Sequence, residues 1–72
     1  MGPLPNPHDR NPDDDLDAYR GLTREEAEAR ARERGWTTVR SLPPGTVVTM
    51  EYVLGRLNFI VAEGRVQRCW LG

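Results

Sequence analysis

The 72-residue chain contains no lysine, one cysteine and one histidine. Cys69 alone cannot close an internal disulfide, and one Cys with one His cannot complete a tetrahedral structural zinc site. The usual staples of a mini-domain are therefore excluded. There is no charge excess either: ten arginines face eleven acids, for a formal charge of −1. A dedicated nucleic-acid binder usually carries a basic surplus, so no nucleic-acid partner is expected. No run approaches the ~18 apolar residues of a membrane-spanning helix, so no membrane partner is expected. A Ser/His/Asp set is not credible with His8 as the only histidine, and no phosphate-loop motif occurs. Neither an enzyme nor a metal or cofactor is expected. The opening Met1-Gly2-Pro3-Leu4-Pro5 lacks a basic patch and an apolar run. With the single cysteine this gives a cytoplasmic expectation, secretion remaining open if a signal has been trimmed.

What is present suits one small soluble domain, with 38% apolar and 29% charged residues. At this size folding buries only ~60% of the chain's surface. Stability must come from a compact core and strong local signals, or from self-association.

The composition divides the chain. Residues 1–15 hold four of the six prolines and Asp13-Asp14-Asp15. Such a segment buries too little apolar surface to offset its ordering entropy. It reads as a disordered Pro/Asp-rich tail, a solubilising leader more than a docking arm, with one domain over 16–72. A chain starting near Leu16 is then expected to melt within a few degrees of the full chain.

The second part reads as a helix over about 24–34. Thr23-Arg24-Glu25-Glu26 has the form of a capping box, in which Thr23 caps the Glu26 N–H and Glu26 reaches back to the Thr23 N–H. Leu22 and Ala27 occupy the staple positions. Acids fill the first turn and arginines the last, as the helix dipole favours. Glu26–Arg30 and Glu28–Arg32 are i,i+4 pairs, and Gly35 follows as the C′ residue. Ala27 and Ala31 form a thin buried stripe, with Leu22 and Trp36 at its ends. The matched charges read as a solvated face, not an RNA-binding one.

The third part reads as strands at 37–42, 56–61 and 66–71. Ala62-Glu63-Gly64-Arg65 is a hairpin turn, so the last two strands are antiparallel. Cys69 reads as a small core-facing hydrophobe, and Trp36 and Trp70 as packing residues. Between the first two strands lie residues 43–55. Connections longer than ~12 residues are usually functional or disordered, and this one is too apolar for disorder. Periodicity alone admits an additional strand over 46–53, with Gly45 and Gly55 in its turns.

The residues admit a second reading. Pro44-Gly45-Thr46-Val47-Val48-Thr49-Met50-Glu51-Tyr52 resembles the reactive loop of the potato inhibitor I family, the family of barley chymotrypsin inhibitor and eglin. Arg56 matches that family's loop-supporting arginine, and Gly21-Leu22-Thr23-Arg24-Glu25-Glu26-Ala27 is similar to its helix start. The ending from Arg56-Leu57-Asn58 to Cys69 looks still more like microbial, elastase-inhibitor-like relatives. Those relatives often pair two cysteines, which this chain cannot do. The resemblance covers roughly 19–72.

It implies an α+β fold: one helix on a small mixed sheet, with a long reactive loop joining two parallel strands. It also implies inhibition of a subtilisin-, chymotrypsin- or elastase-type serine protease by a substrate-like route. The reactive bond would be Met50–Glu51, with Met50 in the primary pocket. Val48, Thr49, Tyr52 and Val53 would flank it, and Arg56 would support it. Asn58 stands where the barley-type family places a second arginine, and Gly55 where it has Asp. Both substitutions are expected to loosen the loop. The alternative is a non-inhibitory interaction module that keeps the fold.

Overall fold

A computed structural model describes residues 11–48 and 51–72. The order is a short 3-10 turn (Leu16–Tyr19), helix α1 (Arg24–Glu33), and strands β1 (Thr38–Leu42), β2 (Arg56–Ala62) and β3 (Arg65–Leu71). The sheet runs β1-β2-β3. β1 and β2 are parallel, with Arg40 beside Asn58; β2 and β3 are antiparallel, with Asn58 beside Trp70. The expected α+β fold is therefore present, and the long connection joins the two parallel strands.

The local signals explain the helix. Thr23 Oγ1 accepts from the Glu26 N–H at 3.2 Å. The return contact differs from expectation: the Thr23 hydroxyl itself donates to Glu26 Oε1 at 2.8 Å. At the other end Gly35 has φ 97°. Its N–H reaches Arg32 O, and the Trp36 N–H reaches Ala31 O. These two bonds make a Schellman motif, which turns Trp36 into the core. The ion pair on the helix is Arg24–Glu28 at 3.1 Å, not the expected Glu26–Arg30 and Glu28–Arg32. Glu28 lies against β1, where the Ser41 hydroxyl also donates to it at 2.8 Å. Burial alone would raise the Glu28 pKa, but the bonds from Ser41 and Arg24 outweigh it and hold the group below its ordinary value. Thr23→Ala should cost about 1 kcal/mol, the usual loss for an N-cap. An unchanged urea midpoint would count against this cap.

Ala27, Ala31, Trp36, Leu57, Phe59, Val66 and Tyr19 form the core, with Val39, Val61 and Cys69 packed against it. Small alanines let the helix approach the sheet closely. Tyr19 and Phe59 meet with ring centroids 5.4 Å apart. Burial pushes the Cys69 thiol up to about 12, as suits a packing residue. The hairpin turn places Glu63 (φ 54°) and Gly64 (φ 78°) both in the left-handed region, the pattern of a type I′ turn.

The segment expected to be a tail is held where it is described. Asp14 Oδ2 accepts from Trp36 Nε1 at 3.0 Å and from the Tyr19 hydroxyl. The Asn11 side chain accepts from the Gly55 N–H at 2.8 Å and donates to the Tyr52 hydroxyl at 2.6 Å. The sequence boundary at 15/16 therefore separates Asn11 and Asp14 from the residues they bond. Pro-rich composition disfavours regular structure, and residues 11–15 have none. It does not prevent side chains from bonding to a neighbouring domain. Residues 1–10, including His8, lie outside the described residues.

Asp14 and Tyr19 set a pH dependence. Burial opposes the Asp14 charge, but the Tyr19 and Trp36 bonds outweigh it and lower its pKa. Its contribution is thus complete above the unfolded value and fades as pH falls through the folded one. Burial first, then the bond to Asp14, raise the Tyr19 pKa. The phenol therefore favours folding below its ordinary value, and that contribution fades at higher pH. Absorbance at 295 nm should show one phenol that resists ionisation at about pH 11 until the chain unfolds. Ionisation of the Tyr19 phenol near pH 10 in the folded chain would refute the bond.

Candidate functional site

The loop 43–55 leaves β1 through a turn that its residues dictate. Pro44 suits the second turn position, and Gly45, with φ 81°, the third. The Thr46 N–H and hydroxyl both donate to Pro43 O, the latter at 2.7 Å. No strand forms in the described parts of 46–53, so the additional-strand reading is not supported there. Thr49 and Met50, two of the expected site residues, lie outside the described residues.

Beyond the tip the chain is tied down. Arg56 is 9% exposed. Its Nη2 donates to Glu51 O at 3.0 Å and to Gly72 O at 2.6 Å, and its Nε donates to Gly72 O at 3.1 Å. Among the described residues no Asp or Glu side chain pairs with it. A buried guanidinium needs such acceptors, because leaving its charge unsatisfied costs several kcal/mol. Val53 adds a main-chain bond to Gly72 O at 3.1 Å, and Tyr52 packs against Gly72.

Gly55 does not loosen the loop end as expected. It is buried with φ 79°, and a Cβ there would lie 2.5 Å from Thr37 Oγ1. Its carbonyl accepts from the Thr37 and Thr38 N–H groups, and its N–H reaches Asn11. Glycine permits both the turn and the close approach.

Asn58 is fully buried under the open face of the sheet. Its Nδ2 donates to Trp70 O at 3.2 Å, and its Oδ1 accepts from Arg40 Nε at 2.8 Å. Among the described residues Asn58 makes no bond to the loop, but it fixes Arg40, which lines a hollow between the sheet and the loop. Arg40 gave no signal in the sequence. It lies 18 residues from Asn58, and only the parallel register of β1 and β2 brings the two side by side.

The loop's apolar side chains face outward: Val47 is 88% exposed and Tyr52 62%, with Val48 and Leu54 also exposed. Contiguous exposed apolar residues mark interaction sites. Among the described residues, no cluster of three His, Cys, Asp or Glu could hold a metal. No helix of the described chain is long and apolar enough to cross a membrane.

The model of the peptidase inhibitor I78 family matches residues 20–72, which take in the helix, all three strands and the loop. The chain belongs to the peptidase inhibitor I78 family. The resemblance seen in the sequence thus holds at the level of a peptidase-inhibitor family, and the family matched is I78, not potato inhibitor I. No curated protein matches the chain. As an I78 peptidase inhibitor the chain has a peptidase for its partner class and no implied catalytic role. The matched region begins at Arg20, so the contacts of Asn11 and Asp14 are additions outside it.

Proposed function

We propose that this I78 inhibitor blocks serine proteases of the subtilisin or chymotrypsin type by presenting 43–55 as a substrate-like loop. The reactive bond is Met50–Glu51, and Met50 enters the primary specificity pocket. Val48, Thr49, Tyr52 and Val53 flank it as the extended segment that the protease cleft holds. The observation that carries this reading is the tether on Glu51. A buried arginine holds the carbonyl of the residue just past the proposed bond, while apolar loop side chains face solvent.

The physical reason is preorganisation. A free peptide loses ordering entropy on binding and is cut. A tethered loop has already lost it, so more of the contact energy appears as affinity. A tether also keeps the new chain ends together after cleavage, which favours rejoining. Gly55 and Arg56, both bonded into the domain, support this reading over a non-inhibitory interaction module.

The test is a titration of subtilisin and chymotrypsin with the full chain, followed by mass spectrometry. Stoichiometric loss of protease activity with slow cleavage at Met50–Glu51 is expected. The absence of both inhibition at micromolar concentration and cleavage at that bond would refute the assignment. Met50→Asp should abolish inhibition without shifting the melting temperature, because a carboxylate is desolvated at high cost in an apolar pocket.

A further inference from the structure

The open face of the sheet carries a hollow of about 740 Å³ between the strands and the loop. That size lies in the range of small-molecule sites, ~300–1,000 Å³. Ile60, Trp70, Tyr52 and Val48 give it apolar walls, and Arg40 and Arg68 bring cations to it. The register places Asn58 between Arg40 and Trp70 in one row, with Ile60 and Arg68 in the next.

Both guanidiniums are held in place with donors to spare. Arg40 is fixed through Nε by buried Asn58, which leaves its two terminal nitrogens. Arg68 lies over the Trp70 ring, 5.7 Å from its centroid. The aromatic face attracts the cation and leaves its N–H groups free for an acceptor. Among the described residues, neither arginine pairs with a carboxylate. Among the described residues Glu51 is the one Asp or Glu lining the hollow, and its main-chain oxygen, not its carboxylate, is the atom bonded to Arg56.

We propose that this hollow is a binding site for a small aromatic carboxylate. The ring lies against Trp70 and Ile60, and the carboxylate accepts from Arg40 and Arg68. Charge complementarity sets the choice of ligand: two cations without acid partners border an apolar floor. A neutral ring would gain only the burial, whereas an anion also gains charge-assisted bonds in a partly desolvated site. The hollow shares Val48 and Tyr52 with the loop, but its two arginines lie on β1 and β3, so naphthoate binding is read independently of protease inhibition.

The experiment uses the full chain labelled with 15N and titrated with 2-naphthoate, with 2-naphthamide as the uncharged control. Naphthoate should shift the Trp70 indole N–H resonance saturably, with a Kd below about 1 mM. The Trp36 resonance, whose indole bonds Asp14 on the core side, should stay in place. Arg68→Met, which unpairs no buried atom, should weaken binding about tenfold, the worth of one charge-assisted bond. Arg40→Lys tests the other cation while keeping a donor near Asn58, and should weaken binding by a similar factor. Equal binding of naphthamide would overturn the proposal. So would an unmoved Trp70 resonance at 5 mM naphthoate, or unchanged affinity in the Arg68→Met chain when its melting temperature matches the parent.

Discussion

Arg56→Ala should lower stability by about 2–4 kcal/mol and turn the inhibitor into a faster substrate at Met50–Glu51. The estimate rests on hydrogen bonds to charged groups, at about 1.5–3 kcal/mol each, partly offset by water reaching the freed oxygens. Two main-chain oxygens, on Glu51 and Gly72, lose their donor. Because Arg56 is almost fully buried, its removal also leaves a hollow beneath the loop. The two effects separate by measurement: urea denaturation reads the first, and the rate of cleavage by subtilisin reads the second. Initial recognition should change less, since the outward side chains of the loop are untouched. Arg56→Lys should recover little, because a single ammonium cannot bridge two oxygens as a planar fork does. An unchanged urea midpoint in Arg56→Ala would sink the tether.

The second large effect concerns the N-terminal segment. A chain beginning at Leu16 should lose about 2–3 kcal/mol relative to one beginning at Asn11. The cost comes from Tyr19, fully buried, and Trp36, 3% exposed. Both donate to Asp14, and an unpaired buried donor costs about 1–3 kcal/mol. Loss of Asn11 adds a smaller share by freeing the Gly55 N–H and the Tyr52 hydroxyl. For a domain this small each kcal/mol moves the melting temperature by about 4–8 °C, so a drop of about 8–24 °C is expected. Asp14→Ala in the full chain should reproduce most of it. Equal melting of the two truncations would restore the reading of 11–15 as a dispensable tail.

The elements whose causes are local were legible in the residues. The helix start follows from Thr23 and Glu26 three positions apart, and its stop from Gly35. The hairpin follows from Glu63-Gly64. The strands follow from alternating apolar positions, each boundary falling within a residue or so of its expected place. Arg56 was singled out by the resemblance, not by any local signal; its bond to Glu51 O depends on the fold. The ion pairs were not: charge spacing on α1 allowed several, and the packing of Glu28 beside Ser41 selected Arg24 as its partner.

The α+β class and the reading of 43–55 as one loop came with the family resemblance; taken alone, the residues determined the helix, the hairpin, the three strand segments and the lack of an internal disulfide. These depend on signals that act over a few residues or on composition, and both can be read along the chain. Tertiary structure decided what each polar side chain bonds. It gave Asp14 to Trp36 across 22 positions, Asn11 to Gly55 across 44, and Arg40 to Asn58 across 18. It also made Gly55 a buried anchor instead of a loose end. A side chain's partner depends on which strands and segments fold beside it. No spacing in the chain encodes that neighbourhood until the parallel register and the helix packing have set it.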